Sequence, residues 1–327
     1  MALIRGMAAA LALSCALLLT GCSSLLENPY AVVEPHTERP ATAEDSSAVQ
    51  AGTYSELVNT VLFFVSQGTE KGLIQLTDDY DGDVEEDLNR ACLEVAKDDP
   101  LGAYAVDFIK NDCTKVLTTY EATITISYRR TREQIRSLVN VTGTSAIRDE
   151  VRAALADFQS EVALRVGYFT ESADSIAALV RQAYYDEPAG ALGMPEFTVS
   201  LYPASGGQQR IVEILLTYPE DTQALRQKSD DLQSTADALV LPLRPHQLSP
   251  SARQAELFSL VREHVRARPE GGPTAWDALL GDGADSEGLA LTFQLLSGKM
   301  EVGSVLVEGT LTVSYTHLRA HETLMNL

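Results

Sequence analysis

The sequence predicts an α+β fold, because segments with strand periodicity alternate with segments of helical periodicity along the chain. Three strand–helix units begin at Glu121, Glu161 and Ile211, and in each the alternating apolar residues end at a tyrosine before a polar cap and a helical pattern. Strands that pass directly into helices favour a sheet with helices over one face. The repeated tyrosines are expected to pack at the strand ends rather than to bind a ligand.

The region before these units predicts a helix, a short strand and a second helix. Thr53 followed by Glu56 is the pattern of a capping box, and an apolar stripe runs from there to Gly68. A short strand is expected over residues 72–76. Asp83 is then expected to cap the following helix.

Proline residues separate the strand–helix units from the last part of the chain. Pro242, Pro245 and Pro250 cluster there, which is typical of a boundary between domains. We therefore expect the α+β region to cover residues 53–241. A further domain is expected from Ser249, which begins a helix together with Pro250.

The first residues have the layout of a bacterial signal peptide. Arg5 precedes an apolar run that extends to Leu19 and is short for a membrane-spanning helix. The run ends in Leu-Thr-Gly-Cys, which resembles the lipobox of bacterial lipoproteins, whose cysteine is diacylated after cleavage just before it. The resemblance implies a signal peptide over residues 1–21 and a lipid on Cys22 that anchors the protein at the outer face of a bacterial membrane. An uncut signal anchor is the alternative.

The composition indicates a tether followed by a globular part. Residues 22–52 are rich in Pro, Ser, Thr, Ala and Glu, show no apolar periodicity and are predicted to form a flexible tether behind the lipidated cysteine. The chain of 327 residues is 45% apolar and 22% charged, with a net charge of −21. This negative charge argues against a nucleic-acid partner and against adsorption to an anionic membrane surface.

Two cysteines remain outside the leader and the lipobox. Cys92 and Cys113 form either a disulfide, which an extracytoplasmic location permits, or two small buried side chains. No Cys/His cluster has metal-ligand spacing. The acidic run around Gly82 would place Thr77 and Leu88 at the two ends of a calcium loop, where neither is a suitable ligand. The sequence therefore predicts no metal and no cofactor.

The end of the chain resembles translated sequencing-adapter DNA. Residues 313–323 read VSYTHLRAHET, which one reading frame of the adapter encodes without a mismatch. Residues 312–327 are therefore predicted to be a non-native tail. His317 and His321 are spaced as in a helical zinc pair, but they lack the glutamate of that motif and fall within the tail.

The segment at residues 249–311 resembles the beginning of a bacterial transglutaminase-like domain. Such domains have a short helix, a small-residue loop, a Cys-Glu-Gly that opens a buried apolar helix, and then a strand. The matching stretches are AWDALL (275–280), SEGLALTFQLL (286–296) and SVLVEGT (304–310), with Glu287-Gly288-x-Ala290 as the clearest part. The resemblance implies that the N-terminal part of such a domain follows the α+β region.

The resemblance also implies where the chemistry of this family would take place. A cysteine thiolate is favoured at a helix N-terminus, and a histidine and an aspartate from following strands complete a papain-like triad. Ser286 stands at the position of that cysteine, and the histidine and aspartate would fall beyond Leu311. A serine hydroxyl is far less acidic than a thiol. The alternative role of Ser286 is a plain helix N-cap.

These observations predict a lipid-anchored extracytoplasmic lipoprotein whose transglutaminase-like segment is non-catalytic and acts as a binding or scaffold module. Peptides or cell-wall material are the partners that the resemblance implies. Two alternatives stay open. One is a peptidase or acyl transferase in the full-length protein, with its site at Ser286, and the other is a lipoprotein substrate receptor whose function lies in the α+β region.

Overall fold

The computed structural model describes residues 48–306. The predicted signal peptide, Cys22, the greater part of the predicted tether and the predicted non-native tail lie outside these residues. Within them the chain forms helices and two small mixed sheets, which confirms the predicted α+β class.

The first part of the described chain forms a four-stranded sheet with its helices. Its elements are β1 (Ala48–Ala51), α1 (Tyr54–Gln67), β2 (Lys71–Leu76), α2 (Val84–Lys97), α3 (Pro100–Ala105), β3 (Val106–Val116) and β4 (Thr119–Tyr128). The strand order is β1-β2-β4-β3, with β1 parallel to β2 and the other neighbours antiparallel. The last residues of the predicted tether are therefore strand β1, because their backbone pairs with β2.

The next part of the chain repeats this arrangement. Its elements are α4 (Arg132–Arg136), β5 (Val139–Val141), α5 (Gly143–Ala156), β6 (Glu161–Val166), α6 (Ala173–Asp186), β7 (Glu196–Tyr202) and β8 (Arg210–Thr217). The strand order is β5-β6-β8-β7, again with one parallel pair and two antiparallel pairs. We call residues 48–128 the first unit and residues 139–217 the second unit, since their topologies are the same.

The three predicted strand–cap–helix units are present, as β4 with α4, β6 with α6, and β8 with the helix after it, but they lie within a longer repeat. The hydroxyls of Tyr128 and Tyr218 donate to the carbonyl oxygens of Thr69 (3.0 Å) and Gln159 (3.1 Å), in each case 59 residues earlier in the chain. Tyr168, the third tyrosine of the predicted repeat, lies exposed after β6 and makes no such bond within the described residues. The longer repeat is thus a whole four-stranded layer with its helices, and the tyrosine bond is shared at its period rather than at that of the single strand and helix.

Local capping explains where the first helix begins and ends. The Thr53 hydroxyl accepts from the Glu56 amide (3.2 Å), and Gly68 ends α1 in the left-handed region at φ +63°. The Glu56 carboxylate accepts from the Gly52 amide (2.7 Å), so the cap differs from the reciprocal capping box expected from sequence. Asp83 caps α2 as predicted.

Helices complete the second unit at the end of the described chain. They are α7 (Thr222–Val240), α8 (Pro250–His264), α9 (Ala275–Leu279) and α10 (Ser286–Lys299), with the short strand β9 (Ala267–Gly272) between α8 and α9. The proline-rich boundary coincides with two 3₁₀ turns between α7 and α8. One buried core nevertheless extends across it, from Val141 to Met300. The last helices therefore pack on the second unit and share its core.

A buried polar cluster joins the two units. Tyr104 of α3 is fully buried, and its ring meets the ring of Tyr202 edge-on, with the centroids 5.6 Å apart. Burial raises the pKa of Tyr104, so its hydroxyl stays a donor, to Glu161 at 3.3 Å. Arg130 pairs with Glu213 of β8 at 2.5 Å, and the Tyr202 hydroxyl donates to the same carboxylate at 2.9 Å. Because Glu213 is only 2% exposed, its charge depends on these partners.

Candidate functional site

Ser286 lies in the first turn of α10 but does not cap it. The N-cap is Asp285, whose carboxylate accepts from the amides of Glu287 (2.9 Å) and Gly288 (3.1 Å). A carboxylate is favoured here because it is charged and binds two amides at the positive end of the helix dipole. The alternative of Ser286 as N-cap is therefore wrong. The missed signal is the aspartate that directly precedes the helical pattern.

The Ser286 side chain is exposed and has no hydrogen-bond partner among residues 48–306. The described histidines, His246 and His264, are not bonded to it, and His264 lies exposed at the end of α8. A serine must have a base within hydrogen-bond reach to act as a nucleophile. The described part of the chain supplies no such base at the position of the family's cysteine.

The Glu287-Gly288 pair makes structural contacts in this protein. A Cβ on Gly288 would lie 2.7 Å from the carbonyl oxygen of Thr274, so the start of α10 packs directly on the backbone before α9. Thr274 and Asp277 cap α9 reciprocally. The Glu287 carboxylate accepts from the Tyr185 hydroxyl at 3.3 Å. These contacts hold α6, α9 and α10 together around the candidate site.

A cleft of about 380 Å³ lies beside the candidate site, between β9 and the loop that joins α9 to α10. Its charged lining residues have both signs and include Arg268, Glu270 and Asp282, and Trp276 and Leu280 add apolar surface. A cleft with these groups can bind a polar ligand that carries both charges and short apolar parts. Within residues 48–306, no group of three or more His, Cys, Asp or Glu residues is placed to hold a metal ion.

Cys92 and Cys113 are free thiols in the structure, so of the two alternatives the disulfide is not formed. Cys92 is buried on α2, with the amide nitrogen of Asn111 3.8 Å from its sulfur, and burial raises its pKa to about 11. Cys113 lies on β3, where burial and then the charge of Glu85 raise its pKa. Neither thiol is therefore activated as a nucleophile at neutral pH.

The fold and the site define an α+β protein with two equivalent four-stranded units and an exposed serine at the start of its last described helix. No protein-family model, no curated protein and no solved structure matches the chain. None of the helices within residues 48–306 has the length and apolar character needed to cross a membrane.

Proposed function

We propose that the protein is a lipoprotein held at the outer face of a bacterial membrane by a lipid on Cys22, and that its transglutaminase-like segment is a non-catalytic binding or scaffold module. The observation that carries the non-catalytic part is the start of α10, where Asp285 caps the helix and occupies its first amides, and where residues 48–306 supply no base to the exposed Ser286. The lipobox resemblance at residues 19–22 supports the anchor.

The electrostatics at this helix end support the absence of catalysis. In the family, free amides at the helix N-terminus stabilise the cysteine thiolate. In this protein the Asp285 carboxylate occupies the amides of Glu287 and Gly288, at 2.9 and 3.1 Å. A second negative charge beside that carboxylate would be repelled, so the helix end does not help to ionise Ser286.

The cleft beside α10 supports the binding role. Arg268 can pair with an acidic group of a ligand, and Glu270 and Asp282 can pair with a basic or hydroxyl group. Trp276 offers a surface for an apolar part of the ligand, although the Lys228 ammonium lies 5.2 Å from the centre of its ring. Peptides and cell-wall material combine these groups, and we assign the cleft to ligands of this kind.

Lipid attachment is tested by expressing the whole chain in a bacterium supplied with labelled fatty acid. We expect the protein to incorporate the label and to partition into detergent, because two acyl chains give stable anchoring. Cys22→Ala should abolish both, while Cys15→Ala, in the predicted leader, is the matched control and should change neither. Label retained on the Cys22→Ala protein would contradict the anchor.

Catalysis is tested on the same chain with a serine-directed fluorophosphonate and with assays of amide hydrolysis and amine incorporation. We expect Ser286 to remain unlabelled and the turnover of Ser286→Ala to equal that of the unchanged protein. Ser286→Cys should react slowly with thiol probes at neutral pH, because the Asp285 carboxylate disfavours a thiolate beside it. Labelling of Ser286 together with turnover that Ser286→Ala removes would favour the enzyme alternative.

A further inference from the structure

One sheet edge is much longer than the others among the described strands. The edge strand β3 has 11 residues, whereas the edge strands β1 and β5 have 4 and 3. The remaining edge strand, β7, packs against α3 at the joint between the units. Phe108 and Val116 of β3 are 44% and 43% exposed. A long exposed edge presents unpaired backbone groups that can pair with another strand.

The charge pattern of β3 is complementary to that of a second copy of the same strand running antiparallel to it. The strand reads VDFIKNDCTKV, with Asn111 at its centre. When two copies run antiparallel with Asn111 opposite Asn111, Lys110 of each copy faces Asp112 of the other. Asp107 lies at an irregularity of β3 between Val106 and Phe108, so the regular pairing does not extend to it. The two charged residues at the centre of β3, Lys110 and Asp112, then each lie opposite a charge of the other sign.

We propose that two copies of the protein associate through β3 in this register, across a two-fold axis at Asn111, to form a continuous eight-stranded sheet. A two-fold axis makes the contact isologous, so each favourable pair occurs twice in the dimer. The pairing also supplies partners for the backbone N–H and C=O groups on the outer side of β3.

Other registers either bring like charges together or, when centred on Ile109 or Cys113, place the charged residues opposite uncharged ones. In a parallel pairing with the residues in register, each lysine and each aspartate of β3 would lie opposite the same residue of the second copy, which carries the same charge. An antiparallel pairing centred on Lys110 sets two lysines opposite each other, and one centred on Asp112 sets two aspartates opposite each other. In an antiparallel pairing whose two-fold axis falls between two residues, each residue would be paired with one whose side chain lies on the other face of the sheet. Since directly opposed like charges destabilise a sheet, the register centred on Asn111 is favoured.

The first unit can accept this partner without rearrangement. On the helix-covered face of the sheet, the Asn111 amide donates to the Asn89 side chain of α2 at 2.9 Å. Lys110 and Asp112, adjacent to Asn111 in the strand, point to the opposite face and are exposed. Pairing along the edge therefore leaves the contact between α2 and β3 intact and uses charges that already face solvent.

Disulfide trapping tests the register on the whole chain, expressed with its own leader in a bacterium and carrying Cys92→Ala and Cys113→Ser, because the Cys92 sulfur lies 3.8 Å from the Asn111 side chain and would compete for the new thiol. Asn111→Cys places two thiols across the axis at a Cα separation of about 4.5–5.5 Å, which a disulfide can span. We expect a covalent dimer on a non-reducing gel. Thr114→Cys is the matched control, because its counterpart in the second copy lies about 20 Å away. No dimer with Asn111→Cys, or equal dimer with both variants, would overturn the proposal.

Charge exchange in the Asn111→Cys background tests the pairing itself. Lys110→Asp sets two aspartates opposite each other at two places in the dimer, so we expect roughly a fivefold loss of trapped dimer. Asp112→Lys should lose a similar amount, and the two changes together should restore the dimer, which also shows that the variants fold. Lys97→Asp, at the end of α2, is the control and should have no effect. A double variant that stays monomeric, or single variants that dimerise fully, would refute the register.

Discussion

Two adjacent residues at the start of α10 differ sharply in what their surroundings allow them to do. Asp285 has a conformation outside the helix and satisfies two amides of the first turn, whereas Ser286 already has its backbone in the helix. An N-cap side chain can reach back to the first free amides, and a side chain one position later points away from them. Stability at this helix end therefore depends on Asp285, and Ser286 is left without a structural role.

This difference predicts opposite outcomes for two alanine substitutions. Asp285→Ala should lower the free energy of unfolding by about 1 kcal/mol, because two amides lose their acceptor and the helix dipole loses its anion. Ser286→Ala should change it by less than about 0.5 kcal/mol, as is usual for an exposed residue. Urea unfolding of the whole chain carrying Cys22→Ala measures both values. A larger loss for Ser286→Ala than for Asp285→Ala would show that Ser286 is the cap.

At the scale of elements, the tyrosine bond at the end of each unit shows why the longer repeat was not visible in the sequence. Tyr128 and Tyr218 bond to a carbonyl in the loop after the first helix of their own units. The bond crosses the unit, so it depends on residues far apart in the chain. Tyr168 follows a similar alternating strand but lies at the middle of a unit. A pattern of eight or so residues cannot distinguish these positions, because only the sheet order separates them.

The helices with strong local signals were predictable, whereas the resemblance that places a candidate site at Ser286 stays a prediction. Thr53, Asp83 and Ser249 each cap the helix that the sequence assigns to them, because a cap and its helical stripe are close in the chain. Strands β1 and β3 gave no such signal. Their partners are β2 and β4, and pairing with them decides which residues are buried. The chemistry at Ser286 depends in the same way on a neighbour, Asp285, whose role emerges only with the helix start.

At the scale of the whole molecule, the joint between the units contains one buried ion pair, between Arg130, which follows the first unit, and Glu213 of the second. The side chain of Glu213 is 2% exposed and that of Arg130 is 21% exposed, so removing the arginine would leave an unpaired carboxylate in the interior. Such a loss costs much more than the loss of an exposed pair. The second sheet is therefore less stable when the first unit, with the arginine that follows it, is not packed against it.

Arg130→Ala is expected to lower the free energy of unfolding by about 3 kcal/mol. Glu220→Ala is the matched control, because it removes an exposed pair with Lys228 (2.7 Å) and should cost less than about 1 kcal/mol. Combining Arg130→Met with Glu213→Leu should regain much of the loss, since no charge is then buried. Urea unfolding of the whole chain compares the three proteins. Equal costs for Arg130→Ala and Glu220→Ala would contradict a joint that depends on the buried pair.

The two units share one strand order and the same tyrosine bond at the same spacing, but equivalent positions on their sheets differ in burial. The strand registers make Thr123 and Glu121 of the first sheet equivalent to Glu213 and Ile211 of the second. In the second unit these positions are almost fully buried, and in the first unit they remain half-exposed. The two sheets are therefore unequal in their dependence on each other. The second sheet excludes water from positions that remain partly open to water in the first.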